Sequence, residues 1–142
     1  MTMKATAQAI QTLLQRVDSG GNNIFDRVWI GEPNKIPLNK YTATIRASED
    51  TDFQDSTCGS RDHYRREWQI TIYVPGTVET AESNLYDARD LVRADLKNNH
   101  TLSGACTGSN VSQILYGEYG TETRLVGVAR FLYSTFHDET LS

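Results

Sequence analysis

Few cysteines, few prolines and no long apolar run set the first limits on this chain. Its two cysteines, Cys58 and Cys106, cannot found a disulfide scaffold, and two such thiols in a reducing compartment are expected to stay free. Nowhere do the roughly 18 successive apolar residues of a membrane-crossing helix occur, so no membrane partner is expected. The start, Met1-Thr2-Met3-Lys4-Ala5-Thr6-Ala7-Gln8, has no apolar run of the signal-peptide kind, which predicts a soluble cytosolic protein. A basic excess is also missing. With 14 basic against 18 acidic residues and a net charge of -4, no broad positive field neutralises phosphates, and direct nucleic-acid binding is disfavoured. The 142 residues supply one core, a single domain over 1–142, with no internal repeat or low-complexity tract.

What is present is sharpest over residues 64–96. Trp68, Ile70, Ile72 and Val74 fall on one face of a strand, and Glu67, Gln69, Thr71 and Tyr73 on the other. Pro75-Gly76 ends it. The period then switches: Val78, Ala81, Leu85, Ala88 and Val92 recur at spacings of three and four, with Leu91 and Leu96 widening an amphipathic helical stripe. Thr77 is its expected cap, with Glu79 and Glu82 in its first turn. An earlier stripe, Met3, Ala7, Ile10, Leu14 and Val17, predicts a first helix stopped by Ser19-Gly20-Gly21.

The remaining strands follow from alternation and breakers. Residues 27–30 are rich in β-formers before Gly31, Pro33 and Pro37 interrupt them, and 41–46 alternate and should pair with the strand from Tyr64. Between those two, residues 47–63 read as a long acidic loop with Phe53 as its one large apolar residue, expected to be poorly ordered alone and ordered by a partner. After the second helix, 111–116 form a strand, 117–120 a turn, and 123–136 a long last strand. The fold class is therefore α/β (α+β): one mixed or antiparallel sheet of about five strands, two amphipathic helices on one face, order α-β-β-β-α-β-β. The last strand is apolar on both faces, with Leu125, Ala129, Phe131 and Tyr133 on one and Val126, Val128, Leu132 and Phe136 on the other. Helices on one side do not account for the second set, and another subunit is the economical cover.

Four constellations bear on chemistry. Cys58 with His63 and His100 with Cys106 carry the ligand types of a zinc site, but their spacings miss the tight turns of zinc modules. Asp50-x-Asp52 opens like a calcium loop, yet Asp55 replaces the required glycine and Arg61 the bidentate glutamate; a solvated acidic loop is the plainer reading, beside a loose cation site of Glu49, Asp50, Asp52 and Asp55. Cys58, Asp62 and His63 lack the elbow that sets a nucleophile against its base. Arg61, Arg65 and Arg66 are interleaved with acids, which suits salt bridges at a subunit seam or a solvated strand end better than phosphate reading. No catalytic, cofactor or metal residue is assigned, and no enzyme activity is expected. Asp50, Asp52, Phe53, Asp55, Arg61, Tyr119, Val126, Val128, Leu132 and Phe136 are assigned to subunit or partner contacts.

The order of elements, the stretch Trp68-Gln69-Ile70-Thr71-Ile72-Tyr73-Val74, the helix ending Leu91-Val92-Arg93-Ala94-Asp95-Leu96 and its exit through Lys97-Asn98-Asn99-His100-Thr101-Leu102-Ser103-Gly104 resemble the tail terminator or tail-completion proteins of long-tailed bacteriophages. The resemblance implies a structural protein of the virion neck, assembled in the bacterial cytoplasm. It implies a ring, most often a hexamer, that ends the tail tube and meets the head connector or stopper protein, with DNA passing through the lumen without specific binding. Net negative charge suits such a lumen, since it does not hold phosphates. Related neck proteins, head-completion, connector or stopper, look similar. An alternative of another class is a small metal- or ligand-binding enzyme using the 47–63 loop.

Overall fold

The structure, a computed structural model, describes residues 2–53, 61–120 and 124–140. The first helix, α1 (Met3–Leu14), is capped by the Thr2 hydroxyl, which accepts the Ala5 N–H at 3.1 Å, and buries Ala7, Ile10 and Leu14. It stops a turn earlier than the apolar stripe predicts. Val17 is nevertheless fully buried, because the chain bends through Arg16 and Val17 and carries it back under the helix end. Gly20 and Gly21 do not cap the helix. At φ of +66° and +90° they form the two-residue loop of a small hairpin, β1 (Asp18–Ser19) with β2 (Asn22–Asn23), a turn that demands positive φ at both positions.

Five strands make the main sheet: β3 (Arg27–Ile30), β4 (Thr42–Phe53), β5 (Arg61–Gly76), β6 (Gly108–Gly120) and β7 (Leu125–Thr140), in the order β3-β4-β5-β7-β6. β3 runs parallel to β4 and the other pairs are antiparallel, so the sheet is mixed. With α1 and the second helix, α2 (Ala81–Asn98), the order is α-β-β-β-α-β-β as the sequence predicts, with the small hairpin added after α1. Both helices lie on one face. Trp68, Ile70, Ile72 and Val74 of β5 and Ala129, Phe131 and Tyr133 of β7 pack there with Leu85, Ala88, Val92 and Leu96 of α2.

Other boundaries also differ from the sequence reading, and β6 and β7 run beyond the expected 111–116 and 123–136. The acidic loop expected over 47–63 is strand at both ends: Ala47 lies opposite Trp68 and Phe53 opposite His63, with a bulge between Ala47 and Glu49. Polar side chains hid this because they are satisfied across the ladder rather than by water, Asp50 against Arg66 and Ser48 against Glu67. The 117–120 turn is also strand, with Glu118 opposite Gly127 and Tyr119 opposite Val126; its glycines read as a turn but continue the ladder. Finally, α2 begins at Ala81 rather than Val78, which is 67% exposed. Thr77 forms a separate turn, its carbonyl accepting the N–H groups of Thr80 and Ala81 and its own N–H donating to the Thr80 hydroxyl. Gly76 permits this tight entry, since a Cβ there would stand 2.6 Å from the Ala81 Cα.

Candidate functional site

The outer face of the sheet, opposite the helices, is built by the even positions of β7. Val126, Val128, Leu132 and Phe136 all lie there, as the strand period predicts, but not in equal exposure. Val126 is sealed within the subunit, whereas Val128, Leu132 and Phe136 are half-buried. Their ladder neighbours explain the difference in part. Val128 lies opposite Gly117 and Phe136 opposite Gly108, so neither has a side chain to flank it on the β6 side. Leu115 of β6 continues this apolar stripe at 45% exposure, opposite the exposed Arg130. Nearer β4 the same face is different: Thr42, Thr44 and Thr71 are buried there, small hydroxyl side chains between longer neighbours.

The two edges of the sheet also differ. β6 is the outer strand on one side, thirteen residues long, and among the described residues nothing pairs with its free edge. It carries no lysine and no proline, Glu118 is its one charged residue, and Tyr116 is 54% exposed beside Leu115. On the other side β3 covers only 42–45 of β4, which leaves the outer side of residues 46–53 without a strand partner among the described residues. That edge carries Glu49 and Asp50.

Beyond the hydrophobic core, the helix-side positions of β4, β5 and β7 hold a polar stack. The Tyr64 and His137 rings stack with centroids 4.8 Å apart, and the Arg66 guanidinium lies 5.2 Å from the Tyr64 ring and 5.9 Å from the Trp68 ring. Arg66 donates to both carboxylate oxygens of Asp50, at 2.8 and 3.1 Å, although its side chain is only 9% exposed. The Trp68 indole N–H donates to the Thr135 hydroxyl at 3.0 Å, and that hydroxyl lies 2.8 Å from His137 Nε2. Asp50 and Arg66, expected at a subunit seam or in solvent, are thus paired inside one subunit. Arg65 makes a looser contact with Glu49 on the outer face, at 3.7 Å.

The other expected contact residues are placed less fully. Asp55 lies outside the described residues, and so do the side chains of Asp52, Phe53, Arg61 and Tyr119, whose backbone belongs to strands. Cys58 is also outside them. Among the described residues no group of three or more His, Cys, Asp or Glu side chains is arranged to hold a metal ion. His63 Nδ1 faces Asp138 at 3.5 Å, while Cys106 is buried and contacts the His100 carbonyl. Burial pushes the Cys106 thiol up to about 11, against a backbone contact from Gly108, which keeps it protonated rather than nucleophilic at neutral pH.

One cleft, of about 450 Å³, opens between the end of α2 and the start of β6, with Arg93, Lys97 and His100 on its rim and Tyr133 and Val111 within. Its lining contains neither a carboxylate nor a thiol. The Tyr133 phenol is raised well above its ordinary range by burial, which Ser109 tempers, while the Ser109 hydroxyl donates to the His100 carbonyl at 2.8 Å. The cleft can attract an anion but does not place an acid beside a base.

Sequence reasoning missed Tyr64, Thr135 and His137 as a unit, and Leu115 and Tyr116 as the exposed middle of an edge. The period of two already places Thr135 in phase with Phe131 and Tyr133 and, continued past Phe136, would have added His137. The chain matches no protein-family model, and no curated protein matches it significantly.

Proposed function

We propose that the chain is a structural subunit of a bacteriophage neck, a tail terminator that assembles with copies of itself into a ring ending the tail tube. The observation that carries this reading is a sheet built larger than its own helices cover: an apolar stripe of Leu115, Val128, Leu132 and Phe136 left partly open beside an unpaired thirteen-residue edge. Such surfaces fit assembly, and the order of elements fits the resemblance drawn from the sequence. The number six, the location in the virion, assembly in the bacterial cytoplasm and the partners, tube on one side and connector or stopper on the other, come from that resemblance. The sealed Val126 takes one end of β7 out of the proposed contact, and the buried Thr42, Thr44 and Thr71 leave it to the β6 half of the outer face. DNA passes through the ring without specific binding, in keeping with the net charge of -4.

Light scattering on the purified protein, with and without purified tail tubes, tests this. A closed oligomer that caps tubes in electron micrographs is the expected result. A monomer at micromolar concentration that also fails to form rings on tubes overturns the reading, and binding to connectors but not to tubes reassigns the chain to the head-completion or stopper proteins.

A further inference from the structure

Among the described residues the sheet has two free main-chain edges, of opposite character. An edge strand is ordinarily guarded by charge, proline, shortness or a covering element, because its unpaired N–H and C=O groups template another strand. The edge of β4 over residues 46–53 is guarded in this sense. It bulges between Ala47 and Glu49 and carries Glu49 and Asp50 on opposite faces, so two copies of it would set acid against acid. The β6 edge bulges too, between Val111 and Gln113, but it has length, few charges, and Leu115 and Tyr116 exposed at its centre. On the outer face Arg130 stands exposed beside Leu115; on the helix face Arg89 of α2 donates to the Tyr116 hydroxyl at 3.0 Å and to Asp90 at 2.7 Å, and Glu118 shares that face of β6. A β4 edge laid along β6 therefore brings Glu49, held only at 3.7 Å by Arg65, towards Arg130 on the outer face, while Asp50 stays paired with Arg66 in its own subunit. A second β6 would bring Arg130 towards its copy and leave the β4 edge bare.

We propose that the free edge of β6 in one copy pairs with the open side of residues 46–53 of β4 in the next copy, joining the sheets head to tail. Because the two edges belong to opposite sides of one sheet, each copy offers one and consumes one. That is a heterologous contact, which either closes as a ring or grows as a filament. The seam rests on the proposed assembly reading for its closure into a ring, but the pairing itself does not depend on what the ring caps.

Paired cysteines test it in the full chain carrying Cys58→Ser and Cys106→Ala. Gln113→Cys on β6 and Thr51→Cys on β4 both lie on outer-face positions, and a short bis-maleimide allows for the unknown register. Mixing the two single variants should give a covalent dimer, the double variant should give a ladder of multiples, and Gln113→Cys alone should give neither. Cross-linking of Gln113→Cys alone to the same extent as the mixture overturns the seam in favour of β6 self-pairing. An oligomer that cross-links in no combination also overturns it, as does a wild-type chain that stays monomeric with and without tubes. As a second measurement, Leu115→Lys should reduce the mass by light scattering to that of one chain while keeping the thermal midpoint of the fold. An unchanged mass counts against the seam. Rings that cap tubes yet ignore Leu115→Lys leave the neck function standing and sink the seam; cross-linked ladders that never cap tubes do the reverse.

Discussion

The two halves of the long strands follow the same alternation but fill it with different chemistry. Under the helices, Ile70, Ile72, Val74, Ala129 and Phe131 make an aliphatic and aromatic core that α2 closes. Past Trp68 the same helix-side positions hold Arg66, Tyr64, Thr135 and His137, buried against one another and against Asp50. The first half is held by area removed from water and the second by directed contacts, each of which needs its partner. A strand can thus run on past the reach of its helices when ion pairs and stacked rings replace the missing layer.

Trp68 belongs to both halves, touching the core and donating to Thr135. Trp68→Ala should cost the most, about 3 to 5 kcal/mol in a denaturation curve; a loss under about 1 kcal/mol would mean that the two halves are not joined there. Within the distal half, Arg66→Ala should cost about 2 to 3 kcal/mol, since it removes the bidentate pair and the cover of two rings. Arg66→Lys should recover little of it, because an ammonium cannot make the forked contact. Full recovery by lysine would show that charge alone holds this half. Deleting residues 50–59 should likewise lower the thermal midpoint, since it takes Asp50 away from Arg66.

The hydrophobic core, which includes Cys106 and Tyr133, should instead be sensitive to alkali. Burial raises the folded-state Cys106 thiol from 9.0 to about 11, and raises the Tyr133 phenol as well. Their protonated forms are favoured by folding, so this stability is complete below about pH 9 and is lost as pH rises through the folded-state value. The Cys106 share should be about 1 kcal/mol once solvent screening is allowed for. Unfolding curves at pH 8, 10 and 11 measure it, and Cys106→Ala should flatten the decline. The smallest effect should come from Val78→Ser, within about 0.5 kcal/mol, because that residue lies outside α2 and in solvent. A larger loss would place Val78 back in the helical stripe.

The proximal half was legible in the sequence for the reason that it is aliphatic. Trp68, Ile70, Ile72 and Val74 announced a strand, Leu85, Ala88 and Val92 a helix, and both are where the pattern puts them. The half past Trp68 was not, because Ser48, Glu49, Asp50 and Thr51 have loop composition and become strand only through partners that lie fourteen or more residues away, such as Arg66 for Asp50. The candidate surface divided likewise. Val128, Leu132 and Phe136 could be placed on the outer face from their spacing, but burial of Val126 and exposure of Leu115 depend on which strands flank them, and strand order is not written in any one segment.

The pairing of β5 with β7 sets the order in which the molecule can be made. β4 with β5 and β6 with β7 are each neighbours in the chain and can form as hairpins, but the centre of the sheet joins β5 to β7 across α2 and the whole of β6. Loop closure over that separation comes before the contacts that reward it, so docking of the two hairpins is the expected slow step. Until it happens β5 has an open flank carrying Trp68, Ile70 and Ile72, and β7 has one carrying Phe131 and Tyr133. Until then the hairpin of β6 with β7 has two open edges, and closure of the centre against β5 leaves only the outer edge of β6 open.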